Sequence, residues 1–245
     1  MAAPAVASPL SLAERIQSFL KRVEYRRAET DEAREAIFRL RYDAYLKEGA
    51  IQPSFGRRLS DRYDDLDNAW LIGIYLDGRL CSSIRIHVGS PDYPDMVAAD
   101  VFGDFVKPEL EAGKVIVDPT RFVVDPAMAG RNPELPYVTV RIGHMAAEYF
   151  EADIVLATVR QEHRAFYKKV FGHVSVCEPR EYPLLVKPLG LMMLDVNASR
   201  PIINSRYPFF VSGQAERAQV FGPRPGWAPE RRIASATGDA QALVG

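Results

Sequence analysis

The sequence predicts an α/β (α+β) domain with a mixed central sheet flanked by helices. In the first half, two strand-like runs flank Asp77 and Gly78, a dipeptide typical of a tight hairpin between antiparallel strands. After Val115, strand-like and helix-like patterns alternate, which is typical of a parallel pair joined by a helix. We therefore expect an antiparallel front with a parallel pair behind it.

Composition limits the classes of function. The 245 residues are 47% hydrophobic and 26% charged, which fits one soluble domain with extensions. A net charge of −1 gives no electrostatic support for binding nucleic acid. No apolar run is long enough to cross a membrane, so we expect no stable membrane insertion. Cys81 and Cys177 lie far apart without metal-ligand spacing, so we expect no metal site, no disulfide and a reducing cytoplasm.

Three segments are predicted along the chain. Residues 1–22 form a loose tail and an amphipathic helix that begins at a capping box of Ser11 and Glu14. We expect this helix to pack on the domain rather than on a membrane. Residues 23–194 form the domain, and residues 195–245 form an extension that is partly disordered.

The first elements follow from local patterns. A short strand is predicted at Val23–Arg27, and Thr30 is predicted to cap a second helix. The hairpin pairs Ala69–Leu76 with Arg79–Val88. Arg85 lies in the middle of the returning strand, so its side chain points either to solvent or into a cleft.

A polar loop over residues 47–68 is too long for a simple connection. Residues 61–67 hold four acids in seven positions, among them Asp61 and Asp64. A calcium loop is one interpretation, although the glycine and the distant glutamate of an EF-hand are missing. The others are a solvated loop, and a carboxylate cluster that is ordered by arginines or receives an amine.

The most informative stretch is Val115–Pro126. A run of β-branched and apolar residues is interrupted there by four residues of other chemistry: Asp118, Pro119, Thr120 and Arg121. Pro119 cannot donate to a ladder, so it predicts an edge position or a bulge at that point. Residues 125–133 then form a glycine-bearing loop before a helix near Pro136. This order either presents backbone N–H groups to a phosphate or an oxyanion, or is an ordinary turn.

The remaining elements are read from periodicity. The predictions are a helical piece near Ala99–Val106, a helix over Tyr137–Phe150, a strand over Asp153–Val159, a helix from Glu162 to its C-cap Gly172, and strand over Val174–Val186 that is broken by Pro179 and Pro183. From Leu189 on, no regular element is predicted. Residues 222–245 resemble a disordered tail.

Several segments in this order resemble a known family. The helix bearing Ala165–Gly172 (AFYKKVFG) resembles the GNAT acyltransferase fold, a mixed sheet with splayed strands, where AxxFYxxxxG carries a tyrosine near a thioester sulfur. Residues 41–45 (RYDAY), 61–65 (DRYDD) and 118–122 (DPTRF) are similar to the autoinducer-synthase branch of that fold. The similarity covers about residues 23–194.

That branch holds acyl-homoserine-lactone synthases and long-chain N-acyl amino acid synthases, which take acyl groups from acyl carrier protein. The C-terminal region, with Arg206–Phe210 (RYPFF), is more similar to the N-acyl amino acid synthases. Two departures count against lactone chemistry with S-adenosylmethionine. Asp118 stands where the family has a glutamate, and no tryptophan lies between Lys47 and Asn68.

The resemblance implies a set of site residues. Tyr167 would protonate the leaving thiolate, Asp118 would take the amine's proton directly or through water, and a backbone N–H near Phe122 or Val123 would hold the oxyanion. The arginines would order the acidic loop or grip the acceptor's carboxylate. The implied substrate-binding residues are Arg41, Asp61, Asp64, Arg85, Thr120 and Arg121. Those implied for the acyl chain and pantetheine are Gly130, Arg131, Ile142, Met145 and Phe166.

The loop after the central strand bears on the acyl donor. GNAT enzymes that use coenzyme A generally carry Arg/Gln-x-x-Gly-x-Gly/Ala, whereas residues 127–132 (AMAGRN) keep only Gly130. This favours a phosphopantetheine arm on acyl carrier protein as co-substrate, with no bound cofactor. Four basic residues nearby either meet an acidic carrier surface or form a solvated helix face: Arg160, Arg164, Lys168 and Lys169.

The expected function is transfer of a medium or long acyl chain from acyl carrier protein to the α-amine of an amino acid. The alternatives are an acyl-homoserine-lactone synthase, a coenzyme-A-dependent N-acetyltransferase, and a non-catalytic module that binds an acyl carrier or lipid.

Overall fold

The computed structural model describes residues 10–223, in which seven strands form one mixed sheet in the order β1-β2-β3-β4-β5-β7-β6. The strands are β1 (Val23–Arg27), β2 (Ala69–Leu76), β3 (Arg79–Gly89), β4 (Ile116–Val124), β5 (Ile154–Val159), β6 (Val174–Ser175) and β7 (Gly190–Asp195). The helices are α1 (Leu12–Leu20), α2 (Asp31–Lys47), α3 (Val97–Val101), α4 (Gly103–Glu111), α5 (Leu135–Tyr149), α6 (Arg164–Phe171), α7 (Val196–Arg206) and α8 (Gln214–Phe221). No helix in this range combines the length and the apolar character that crossing a membrane requires.

The predicted hairpin is confirmed. Strands β2 and β3 pair antiparallel, and the turn between them has φ of 51° at Asp77 and 79° at Gly78. Two consecutive residues with positive φ match the twist of the flanking strands, and Asp-Gly is a sequence that tolerates this conformation. The antiparallel front continues on both sides, because β1 pairs with β2 and β4 pairs with β3.

The break in β4 lies two residues later than the sequence predicted. Pro119 stays in register opposite Ile86, so the ladder with β3 continues through the proline. The irregularity falls where two residues of β4, Arg121 and Phe122, face the single residue Ile84 of β3. Arg121 has a φ of 52°, the left-handed conformation that one residue of a bulge often takes. Pro119 is tolerated because the pairing of β4 with its other neighbour, β5, ends before it.

Strands β4 and β5 form the predicted parallel pair and then separate. Only two positions pair, Ile116 with Ile154 and Val117 with Val155. The parallel pairing ends before the bulge of β4, and the later residues of the two strands line opposite sides of a cavity. The mixed sheet with splayed strands is therefore confirmed.

Hydrophobic cores cover both faces of the sheet. The larger one joins the sheet to α5 and also takes in α1 through Ile16 and Phe19 and α8 through Val220 and Phe221. A second core lies where α3 and α4 pack against the sheet near Ile116. The segments before residue 23 and after residue 194 thus share one core with the predicted domain as far as residue 223. The predicted tail lies outside the described residues except for its first two positions.

The last strands differ in part from the prediction. The strand predicted over Val174–Val186 is broken, as expected at its two prolines, and only Val174–Ser175 and a single bridge from Arg180 to Leu189 remain of it. Strand β7 lies in the stretch where no element was predicted, and it pairs with β5 along its whole length. Its sequence GLMMLD is buried on both faces of the sheet, so it lacks the alternation by which a half-exposed strand is recognised.

Candidate active site

The opening between β4 and β5 holds a cavity of about 410 Å³, which we call the outer cavity. This volume is within the range of sites that bind small molecules. Its walls come from the end of α2, the bulged end of β4, the end of β5, α6 and the segment before β7. The parting of the strands therefore makes the site.

Three of the four predicted catalytic residues lie on the wall of the outer cavity: Phe122, Val123 and Tyr167. Phe122 belongs to the β4 bulge, where an extra residue leaves the ladder incomplete. Tyr167 is on α6, which ends at Gly172 with the left-handed φ of 88° typical of a C-cap. Burial raises the pKa of the Tyr167 phenol, so the hydroxyl stays protonated at neutral pH.

The predicted substrate-binding residues form a buried ion network instead. The Arg85 guanidinium lies at its centre, with Nη1 donating to Asp61 Oδ1 at 2.5 Å and to Asp64 Oδ1 at 2.9 Å, and Nε donating to Thr120 Oγ1 at 3.0 Å. Arg41 Nη1 donates to Asp64 Oδ1 at 2.8 Å. Arg121 completes the network through Nε and Nη2, which lie 3.1 and 2.6 Å from Asp61 Oδ2.

The network keeps both of its carboxylates ionised. Burial alone would raise the pKa of Asp61, but the charges of Arg85 and Arg121 hold it at about 2. The pKa of Asp64 is lowered in the same way, because the charges of Arg41 and Arg85 outweigh its burial. Of the three interpretations of the acidic loop, the arrangement matches a carboxylate cluster ordered by arginines.

The network lies behind the wall of the cavity rather than on it. Arg41 and Arg85 have no exposed surface, and neither they nor Asp61, Asp64, Thr120 or Arg121 line the outer cavity. The network approaches the wall at Tyr45, whose ring lies 5.9 Å from the Arg121 guanidinium carbon. The predicted grip on the acceptor's carboxylate therefore has no counterpart in this geometry, since the arginines pair with Asp61, Asp64 and Thr120 instead.

Asp118 is also behind the wall. It is fully buried, it pairs across the sheet with His87, and neither of its carboxylate oxygens has a hydrogen-bond partner among residues 10–223. Burial raises the pKa of Asp118 to about 7, against the opposing charge of Arg85 and the backbone at Ala98. Direct proton transfer from a substrate in the outer cavity to Asp118 does not fit this position.

The residues predicted to hold pantetheine lie on an exposed loop. Gly130 and Arg131 are exposed and do not line the outer cavity, which the loop reaches through Pro126 and Ala129. Five backbone N–H groups of this loop donate to acceptors in residues 125–128; their residues are Ala127, Met128, Ala129, Arg131 and Asn132. A loop whose N–H groups are used internally offers few of them to a phosphate.

The residues predicted to line the acyl slot pack in the core. Ile142 and Met145 have no exposed surface, and Phe166 packs edge-on against Tyr137 and Tyr167. None of the three lines the outer cavity or a second cavity of about 40 Å³, which we call the inner cavity. Other α5 residues do line the inner cavity: Val140, Gly143 and His144. The helix itself was predicted correctly, and the stripe chosen for the acyl slot lies outside both of these cavities.

The sequence analysis missed most of the polar wall. Tyr45, Glu48, His163 and Lys187 line the outer cavity together with Arg160, whose Nη2 lies 2.7 Å from Glu48 Oε2. Arg160 was predicted either to meet an acidic carrier surface or to lie on a solvated helix face. Tyr45 lies in the resembling segment 41–45, where no role was assigned to it. Glu48, His163 and Lys187 lie outside the segments that carry the resemblance, and only the fold brings them to this wall.

Replacement of Arg85 tests the network. Arg85→Met fills a similar volume but leaves Asp61 and Asp64 with one arginine each, so we expect the free energy of unfolding to fall by about 3 kcal/mol, the low end for breaking a buried ion pair. Urea unfolding followed by circular dichroism measures it. The control is Arg39→Met on the exposed face of α2, where Arg39 pairs only with Glu35. Equal effects of the two substitutions would contradict a structural role for the network.

Replacement of Asp118 tests its raised pKa. The Asp118 carboxyl has a pKa of about 7 in the folded chain, against 3.8 in the unfolded chain. Between these two pH values the folded chain therefore binds one more proton than the unfolded chain. The free energy of unfolding therefore falls as pH rises through this window. We expect Asp118→Asn to gain stability relative to the wild type between pH 5 and pH 8, by up to about 3 kcal/mol, since about two pH units of this range lie below the folded pKa. Thermal unfolding at both pH values measures this.

The control for that experiment is Asp67→Asn, since Asp67 is exposed in the same loop that carries the network. We expect this variant to follow the wild-type curve at both pH values. If Asp118→Asn also follows it, the carboxyl is not held protonated by burial.

Solved structures share this architecture. FeeM, an N-acyl amino acid synthase from uncultured soil microbes, aligns with a TM-score of 0.59 and 18% identity over 74% of this chain and 94% of its own. MesI, a CoA-dependent acyl-homoserine lactone synthase, aligns at 0.50 and 20% identity over 78% and 97%. TofI, solved in a ternary complex with an inhibitor and MTA, aligns at 0.53 and 13% identity over 78% and 100%. At these identities the alignments show the fold alone, which is that of the GNAT-like acyltransferases.

A comparison with curated proteins gives no match. The family model for the N-acyl amino acid synthase FeeM matches residues 36–195, which is more than half of the chain and holds the β4–β5 opening, the ion network and Tyr167. The chain therefore belongs to the FeeM family of N-acyl amino acid synthases.

Proposed function

We propose that the chain transfers a medium or long fatty acyl group from acyl carrier protein to the α-amine of an amino acid. The observation that carries this proposal is the outer cavity, which lies between the separated ends of β4 and β5 and has Tyr167 on its wall. The family match supplies the reaction class, formation of an amide between an acyl group and an amino acid.

The reaction needs attack by the amine nitrogen on the thioester carbonyl carbon, followed by cleavage of the carbon–sulfur bond. In the proposal the carbonyl oxygen faces the β4 bulge at Phe122 and Val123, where backbone N–H groups stabilise its negative charge. Tyr167 donates a hydrogen bond to the departing sulfur. A thiol has a pKa near 8.5, below the raised pKa of this phenol, so we assign Tyr167 a hydrogen bond rather than a completed proton transfer.

The acceptor would bind at the polar side of the outer cavity. Lys47, Arg160 and Lys187 line it together with a single carboxylate, Glu48, so the wall carries an excess of positive charge. Such a wall favours an acceptor with a free carboxylate, as an amino acid has. The ammonium proton then leaves through water, the route of the two predicted that is compatible with a fully buried Asp118.

The acyl chain would run past Phe122 and Tyr167, which line both the outer and the inner cavity. Beyond them the wall is mainly apolar and includes Ile84, Val155 and Leu194. An alkyl chain gains free energy by leaving water for such surroundings. Two free cysteines are consistent with the cytoplasm as the place of reaction.

The reaction itself is tested by mass spectrometry of lipid extracts from cells that overexpress the chain. We expect N-acyl amino acids, and about a hundredfold less product for Tyr167→Phe, because one hydrogen-bond donor to the negative charge that develops on the sulfur is lost. The control is Tyr149→Phe, a half-buried tyrosine on α5 that lines neither cavity. The double variant Tyr167→Phe/Asp118→Asn adds the second predicted residue.

Each other result has a definite meaning. N-acyl amino acids absent from the wild-type extract would overturn the proposed function, and acyl-homoserine lactones in their place would establish the alternative activity. Equal product from the wild type and the double variant would keep the reaction and remove both residue roles.

The donor is a separate question, because the fold is shared with MesI, which is CoA-dependent. The internal hydrogen bonds of the loop over residues 125–133 support a carrier protein, whose arm brings one phosphodiester instead of three phosphates. The exposed Lys168 and Lys169 on α6 could meet its acidic surface. We expect a higher kcat/KM with an acyl group on acyl carrier protein than with the same group on coenzyme A. A higher kcat/KM with the acyl group on coenzyme A would identify acyl-coenzyme A as the donor.

A further inference from the structure

Three side chains with polar atoms line the otherwise apolar inner cavity: Tyr167, His144 and His173. The cavity lies on the α5 side of the sheet, and Phe122 and Tyr167 separate it from the outer cavity. A purely hydrocarbon chain needs no hydrogen-bonding group in such a wall. The two histidines therefore require a physical explanation.

His144 is accounted for by the protein. Its Nε2 lies 2.9 Å from Asn204 Oδ1 on α7, so this ring is oriented by a protein partner. The ring also packs against Phe210, with ring centroids 5.9 Å apart. His144 thus joins α5 to the C-terminal helices and has a structural role.

No side chain orients His173 in this way. The residue is 3% exposed, and neither ring nitrogen makes a hydrogen bond of standard geometry within residues 10–223; the backbone at Tyr167 is the one polar group that acts on the ring. The ring is held edge-on between Tyr167 and Phe171, at centroid distances of 5.6 and 5.7 Å. Burial lowers the pKa of His173 to about 4, so the imidazole is neutral at physiological pH, with one nitrogen as donor and the other as acceptor.

A buried imidazole nitrogen without a full hydrogen bond in an apolar cavity is costly, typically about 1–3 kcal/mol. A ligand that supplies the missing hydrogen bonds would regain that free energy. A hydroxyl group matches a neutral imidazole best, because it both donates and accepts, whereas a ketone only accepts and a methylene does neither. The chemistry of the wall therefore favours an acyl chain that carries a hydroxyl group.

We propose that His173 is a specificity-determining residue that recognises a hydroxyl group near the thioester end of the acyl chain, so that a 3-hydroxyacyl group is preferred over the unsubstituted one. This rests on the proposed function, which places the thioester sulfur at Tyr167. The Tyr167 and His173 rings are in contact, so the recognised hydroxyl must lie within the first few carbons of the chain. An isolated water on His173 is the competing occupant, and it predicts no preference.

The experiment offers the purified full-length chain equal amounts of 3-hydroxytetradecanoyl and tetradecanoyl groups, both on acyl carrier protein, and measures the ratio of the two amides by mass spectrometry. We expect the hydroxylated product to exceed the other by about tenfold, the effect of one or two hydrogen bonds. His173→Leu should bring the ratio close to one. His173→Gln, which keeps a donor and an acceptor, should restore part of the preference. An unchanged ratio in His173→Leu, or no preference in the wild type, would overturn the assignment.

A binding measurement separates this inference from the proposed function. Stable amide analogues of the two acyl-pantetheine thioesters are titrated by calorimetry into the wild type and into His173→Leu, with folding checked by circular dichroism. If no amide product forms but the hydroxylated analogue binds more tightly to the wild type only, the proposed reaction fails and the role of His173 stands. If the two analogues bind equally to the wild type, the role of His173 fails whatever the reaction is.

Discussion

The structure depends on one buried guanidinium. Arg85 projects from the middle of β3 and contacts two carboxylates of the long loop, Asp61 and Asp64, as well as Thr120 of β4. These bonds join the loop to the strand that forms the cavity wall, and Arg41 extends them to α2. An arginine with no exposed surface is stable only with such partners, because an unpaired buried charge costs several kcal/mol. The same ion pairs that balance the Arg85 charge therefore join the long loop and α2 to β4.

The bulge in β4 follows from this network. Arg121 reaches Asp61 from a left-handed backbone conformation, with a φ of 52° that a non-glycine residue adopts only when its surroundings compensate. The two hydrogen bonds to Asp61 Oδ2 and a third to the carbonyl oxygen of Pro183 provide that compensation. Because the extra residue turns Phe122 toward the opening left by β5, the charge network determines which side chains line the outer cavity.

Features encoded over a few residues could be predicted from the sequence, and features that need distant partners could not. The turn at Asp77 and Gly78 is local chemistry and was found. Arg121 and Asp61 are 60 residues apart, so their residue types could be recognised but not their pairing. Ile142 lies on a correctly predicted helix, yet which α5 residues face the cavity depends on how the helix packs. His173 follows α6 in a segment without any motif, and only its burial makes it notable.

The proton on Asp118 relates the charge of the ion network to the β4 bulge on the cavity wall. Three arginines and two aspartates give the network a net charge of +1, so a protonated Asp118 keeps that excess and an ionised one cancels it. In the proposed reaction, a positive charge next to the β4 bulge favours negative charge on a carbonyl oxygen at Phe122, and burial of the network makes this effect stronger than it would be in water. If Asp118 instead acted as the general base, its carboxylate would have to be ionised and would have to reach the amine of the acceptor. These roles make opposite demands on one proton, and the fully buried position of Asp118 meets the electrostatic demand without any movement of the chain.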